Sequence, residues 1–274
     1  MGPGTASTVS DIMNPLEIYK LLPKKNCGEC PQKTCMSFAV ALQGDADLLD
    51  QCRHTEPAKL SAIKSLLTSG DWRDELVRDL MEQVSKMDIL GAASDLGCRV
   101  EENRLVVRCI GQEYAIERDG KISPEARNKW IRILLLHYVR SMGKGQFTGK
   151  WIDFADLKGG FVKKSTFVRD CEEPLRRLMD ENFDMTVSLL RRLGASGSEG
   201  FQADYSSALD LLPKVRALIV YDRGDEELPS SLKMVFDSVT GNFLDVESIV
   251  FLCEGLVHTL TGMVRHSMEG AGAR

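Results

Sequence analysis

Asn26-Cys-Gly-Glu-Cys-Pro-Gln-Lys-Thr-Cys-Met-Ser-Phe-Ala39, with Cys52 beyond it, is the stretch that decides how this 274-residue chain reads. Its four cysteines, Cys27, Cys30, Cys35 and Cys52, are spaced Cys-x2-Cys-x4-Cys-x16-Cys. A 4Fe–4S cluster needs four thiolates converging from tetrahedral directions. Two ligands in one tight loop, a third at the start of a helix and a fourth returning from further along meet that need. Gly28, between the first two, lets the backbone pass close and aim amides at sulfur. Cys35, Phe38, Ala39 and Leu42 fall at i, i+3, i+4 and i+7, so they share one helical face. Cys35 is therefore expected to point inward with the apolar stripe, and Thr34 to cap its helix. Zinc is the rival metal. Structural zinc sites pair short knuckles with two to four residues between ligands, and a gap of 16 residues fits that poorly.

Working outward, the chain divides near Gly70. Before it, short helices are expected over Pro15–Leu22 (capped by Asn14), Thr34–Gln43 and Glu56–Leu67, with a turn or short helix at 45–50 and a stop at Ser69-Gly70. The first 13 residues, rich in Gly, Ser and Thr, read as a disordered tail, and 14–69 as the cluster domain. After it, Asp71–Leu96 reads as one long amphipathic helix carrying Leu76, Leu80, Val84, Met87 and Leu90, bent at Gly91 and stopped by Gly97. The period then changes to two. Strands are expected at 98–100, 104–110 and 112–117, with turns at Glu102-Asn103 and Gly111. Helices are expected at Pro124–Met142, through most of Lys164–Gly194, and at Asp245–Ser267. Ala195–Gly200 reads as a flexible loop, Val215–Tyr221 and Leu232–Phe236 as strands, and 268–274 as a tail. Together these predict an α+β chain: a small helical cluster domain, then an α+β domain over 70–267 with mostly antiparallel strands.

Composition sets further bounds. Hydrophobic residues make up 43% and charged residues 27%, as in an ordinary globular protein. A net charge of −5 argues against broad nucleic-acid binding. The longest apolar block, Ile133–Leu136, is far short of the ~20 residues that span a bilayer, so no membrane role is expected. The N-terminus lacks the basic start and apolar run of a signal peptide, which points to the cytoplasm. Eight cysteines in a reducing compartment favour metal ligands over disulfides for the clustered four. Cys98, Cys109, Cys171 and Cys253 read as buried hydrophobes, although Cys98 and Cys109 could face each other across a hairpin.

Other candidates carry bland readings beside sharp ones. His137, on an apolar helix, is a candidate ligand for a corrinoid or other tetrapyrrole, or a core histidine bonded to backbone. Asp222, Asp225, Glu226, Glu227 and Asp237 gather near one hairpin, as a hard-cation site or a solvated turn. Gly143–Lys150 departs from a phosphate loop: three residues, not four, separate Gly145 from Gly149-Lys150, and Trp151 stands where Ser or Thr belongs. No hydrolase triad, zinc-peptidase or nucleotide motif is present, so an enzymatic activity stays open.

Leu16-Glu-Ile-Tyr-Lys-Leu-Leu-Pro23, Asn26-Cys-Gly-Glu-Cys30 and Thr34-Cys-Met-Ser-Phe-Ala39 resemble the N-terminal iron–sulfur domain of the corrinoid iron–sulfur protein large subunit, from the acetyl-CoA synthase system of anaerobes. The resemblance covers about residues 14–60 and includes all four ligand positions. It departs at Pro31, where that family usually has Gly. It implies a low-potential 4Fe–4S cluster passing single electrons from a ferredoxin-like donor to a corrinoid or a redox partner protein. The family's barrel and corrinoid domains have no counterpart here, so its methyl transfer is not implied. The remainder resembles an uncharacterised domain family of anaerobic prokaryotes, through Leu134-Leu-Leu-His-Tyr138, Gly149-Lys-Trp-Ile-Asp-Phe154, Gly224-Asp-Glu-Glu227 and Met234-Val-Phe-Asp237. A non-catalytic binding or delivery protein with a structural or carried cluster is the alternative.

Overall fold

The computed structural model describes residues 15–44, 46–68, 72–126, 128–197 and 202–272. The expected 1–13 tail, the Asn14 cap, the Ser69-Gly70 stop and residues 198–200 of the expected 195–200 loop lie outside these residues. The chain divides into two compact units, Met1–Glu75 and Leu76–Arg274.

The first unit is helical. Helices α1 (Pro15–Leu21), α2 (Cys35–Gly44) and α3 (Pro57–Thr68) join a 3-10 turn at Ala46–Gln51. Ile18, Leu22, Phe38, Ala39, Leu42, Leu49 and Ile63 form its core, together with Cys35 and Cys52. The stripe expected on α2 is the face that is buried.

The second unit is α+β. Helix α4 (Trp72–Ser85), which enters this unit at Leu76, leads to a four-stranded antiparallel sheet, β1 (Arg99–Glu101), β2 (Arg104–Cys109), β3 (Gln112–Ile116) and β4 (Ile122–Ser123), in sequence order. Helix α5 (Lys129–Arg140) precedes a second sheet. This contains β5 (Trp151–Asp153), β6 (Ser196–Gly197), β7 (Tyr205–Leu212), β8 (Val215–Asp222) and β9 (Ser231–Asp237), in the order β5-β9-β8-β7-β6, again antiparallel. Between β5 and β6 run α6 (Gly160–Phe167), a π-helical turn at Val168–Glu172 and α7 (Glu173–Leu193). Helix α8 (Val246–Gly272) closes the chain and packs on α5 and α7. Trp130 of α5 stacks on Phe251 of α8 with ring centroids 4.1 Å apart.

Several expectations need correction. The helix expected over 71–96 ends at Ser85. The N–H groups of Lys86 and Met87 turn back to Gln83 and Val84, and Asp88 Oδ1 accepts from the Gly91 N–H at 3.1 Å. An Asp bonding its own local backbone competes with helix continuation, so 86–97 folds as turns. Those turns still bury Ile89, Ala92, Ala93 and Leu96, which imitates a helical stripe in the sequence. Helix α5 starts at Lys129 rather than Pro124, because Asn128 is extended and its side chain accepts from the Trp130 N–H at 2.9 Å. Asn128→Ala should destabilise the second unit by about 1 kcal/mol, read from urea denaturation. Strands β4, β5, β6 and β7 are not among the expected ones; β6 falls inside the expected 195–200 loop, where it pairs with β7, and β7 alternates, burying Ser207, Leu209 and Leu211. Helix α8 runs past Ser267 to Gly272, so most of the expected C-terminal tail is helical. By length and composition alone Val246–Met268 is also long and apolar enough to cross a membrane. Ile249, Leu252, Cys253, Leu256 and Leu260 of that span are instead fully buried in the protein core.

Candidate metal centre

The loop between α1 and α2 is built to turn tightly. Lys24, Asn26 and Gly28 take left-handed φ values of 59°, 48° and 74°. At Gly28 nothing lies within 4 Å of an added Cβ, so the backbone conformation alone calls for glycine. Asn26 Oδ1 accepts the Cys35 N–H at 2.8 Å, tying the loop to the start of α2. Thr34 caps that helix as expected. Its Oγ1 accepts from the Ser37 N–H at 3.1 Å, and Ser37 Oγ accepts from the Thr34 N–H at 3.3 Å. Cys52 returns from the 3-10 turn with its N–H on the Leu49 carbonyl at 3.1 Å.

The four cysteines grade from inside to outside. Cys35 and Cys52 are buried, Cys30 is half-buried and Cys27 is exposed. Their thiols act on one another. Burial, a hydrogen bond with Cys52 and the charges of Cys52, Cys27 and Cys35 push the Cys30 thiol up to about 11. Burial also works against ionisation of Cys52. Even so, hydrogen bonds from the Thr55 hydroxyl, the His54 and Thr55 backbone N–H groups and the Cys30 thiol hold Cys52 below the ordinary thiol range. The Thr55 hydroxyl donates to Cys52 Sγ at 3.1 Å. Three soft sulfur donors acting on a fourth, Cys30, with Cys52 held below the ordinary thiol range by its hydrogen bonds, fit iron–sulfur ligation.

A harder donor set lies at the rim. Single ligand atoms of Cys27, Glu29 and His54 lie within 4.8 Å of one another. Glu29 Oε2 and His54 Nε2 are 3.0 Å apart, so these two satisfy each other. Sequence reasoning missed this pair and Thr55. The signal available was a donor-rich turn, His54-Thr55, directly after the fourth cysteine.

The remaining candidates resolve locally. His137 lines a cleft with Arg140, Asn242 and Asp245. Its Nδ1 is 3.2 Å from Arg140 Nη2 and accepts that bond. The neutral ring then carries its proton on Nε2 and offers no free lone pair to a metal. Burial, then the Arg140 charge, lowers the His137 pKa. Asp225 Oδ1 accepts from the Glu227 and Leu228 N–H groups, each at 2.8 Å, closing a solvated turn. Asp237 stands apart from that turn and is buried. It holds the 143–150 loop, accepting from the Thr148 and Gly149 N–H groups and the Thr148 hydroxyl. Those amides face a carboxylate of this same chain, so the loop is no phosphate cradle. Cys98 and Cys109 do not face each other: the β1–β2 register sets Arg99 opposite Val106, and Cys109 lies opposite Gln112 in β3. Burial pushes both thiols up to about 12, as expected of inert core cysteines.

Comparison with known proteins adds two family matches. A model described as "Putative Fe-S cluster" matches residues 22–54, which include all four cysteines. A model described as "Domain of unknown function (DUF3786)" matches residues 88–259. Among curated relatives, the corrinoid/iron-sulfur protein large subunit of Moorella thermoacetica is 50% identical over 48 residues, which is 18% of this chain and 11% of that protein. The acetyl-CoA decarbonylase/synthase complex subunit gamma 2 of Methanosarcina mazei is 64% identical over 31 residues, 11% of this chain and 7% of the relative. The gamma subunit of that complex in Methanothermobacter thermautotrophicus is 36% identical over 52 residues, 19% of this chain and 11% of the relative. The chain thus spans about a tenth of the length of these relatives. No solved structure matches. The N-terminal unit carries an iron–sulfur cluster domain, and the chain as a whole belongs to the DUF3786 family.

Proposed function

We propose that this DUF3786 protein is a low-potential redox module whose 4Fe–4S cluster is held by Cys27, Cys30, Cys35 and Cys52. The observation that supports this reading is that Cys30 lies near enough to Cys27, Cys35 and Cys52 for their charges to act on its thiol, inside the segment that matches the iron–sulfur model. When bound, the cluster supplies a one-electron couple. The chain's own residues do the rest. Cys35 and Cys52 anchor the site in the core of the unit, and Asn26 and Thr34 fix the helix start that presents Cys35. Exposed Cys27 brings one edge of the site to solvent, where a partner protein can approach. The names of the relatives, a corrinoid/iron-sulfur protein and subunits of acetyl-CoA decarbonylase/synthase, support a corrinoid-bearing protein as the acceptor. A ferredoxin-like protein is the donor in this reading. With His137 Nδ1 engaged by Arg140, we place the corrinoid on that partner rather than on this residue.

The exposed ligand also suits a second reading, a protein that hands its cluster on. Redox titration of the anaerobically purified protein, followed by electron paramagnetic resonance, separates the two. A reversible low-potential couple is expected. A signal that disappears irreversibly on reduction, with iron released, would sink the electron-transfer reading and favour delivery.

A further inference from the structure

Thr55 stands next to the candidate centre, three residues after Cys52. It is a polar residue only 7% exposed, and its hydroxyl donates to Cys52 Sγ at 3.1 Å. A threonine that merely filled space would leave that hydroxyl unbonded, and a buried unpaired hydroxyl is costly. Its partner here is a sulfur, a weak acceptor as a thiol and a strong one as a thiolate. The turn also aims the His54 and Thr55 backbone N–H groups at Cys52. Cys52, a buried thiol, thus receives several donors.

We propose that Thr55 is the residue that sets the reduction potential of the centre, its hydroxyl hydrogen bond to Cys52 stabilising the reduced form. This rests on the reading of the four cysteines as cluster ligands. One electron from a chemical reductant adds one negative charge to the cluster and its thiolates, and no bond is made or broken. A donor fixed on one of those thiolates interacts more strongly with the more negative state and so raises the potential. Thr55 touches no substrate and acts through Cys52.

The test compares full-length wild type with Thr55→Val, which keeps the shape and removes the hydroxyl, and Thr55→Ser, which keeps the hydroxyl. All three are titrated under anaerobic conditions. Thr55→Val is expected to have a more negative midpoint, with the reduction equilibrium shifted about tenfold toward the oxidised form, which is 59 mV for one electron. Thr55→Ser should match wild type. A fully loaded Thr55→Val with an unchanged midpoint would overturn the proposal. Should Thr55→Val not load, Thr55→Ala carries the comparison. Failure of both to load while Thr55→Ser loads would also overturn it, since the hydroxyl would then serve assembly rather than potential. A wild type that binds no iron and sulfide would instead defeat the cluster reading itself, so the two failures are distinguishable.

Discussion

Cys35→Ala is expected to abolish iron and sulfide binding while leaving the second unit folded. Cys35, like Cys52, combines two duties. It is a proposed ligand, and it belongs to the buried α2 stripe with Phe38, Ala39 and Leu42. Removing it takes away one of four thiolates and leaves a gap in a core of few large side chains. A metal site of this kind is also folding energy, because the liganded form exists only in the folded state. A unit of 75 residues, Met1–Glu75, has a thin core and leans on such a staple. The expected result is full loss of the cluster chromophore, with first-unit helices lost by circular dichroism and hydrogen exchange. The second unit should keep its unfolding transition. Retention of a normal chromophore would remove Cys35 from the ligand set.

The second large effect is expected at Asp237. It is 1% exposed, and its carboxylate accepts the N–H groups of Thr148, Gly149 and Val239 and the Thr148 hydroxyl. One side chain thus pins the 143–150 loop to the end of β9 and starts the 3-10 turn at Ser238–Asn242. Asp237→Asn puts an amide where Gly149 or Thr148 needs an acceptor. Losing charged hydrogen bonds and leaving buried donors unmet should destabilise the second unit by about 3 kcal/mol. The pH dependence has a defined sign. Burial opposes the charge, but the four donors hold the Asp237 carboxyl below its ordinary range. Its stabilisation is therefore present above the ordinary Asp range and lost as pH falls through its own lower value. Urea denaturation of wild type and Asp237→Asn should differ most near neutrality and converge in acid. Equal stability at neutral pH would contradict this account.

The first unit was more legible in the sequence than the second. Cysteine spacing and a single helical stripe are local signals, and α2 buries the four residues that the period picks out. Even there, the Glu29–His54 pair was hidden, because it joins residues 25 positions apart in sequence. In the second unit the 3.6-residue period misled over 86–97. Turns held by Asp88 bury Ile89, Ala92, Ala93 and Leu96 without a helix. Strand β7 was missed because Tyr205-Ser-Ser-Ala carries little apolar weight. It exists because β8 pairs along it from Tyr205↔Tyr221 to Leu212↔Val215. Asp237 sat in sequence beside an acidic hairpin, yet its partners lie about 90 residues earlier. Such pairings are made by tertiary structure and leave no local pattern.

Iron, sulfide and zinc analysis of the full chain, purified without oxygen, tests the central claim most directly. The account predicts about four irons and four sulfides per chain, no stoichiometric zinc, and loss of all iron on substituting Cys27, Cys30, Cys35 or Cys52. One zinc per chain without sulfide, or iron that survives those substitutions, would contradict it.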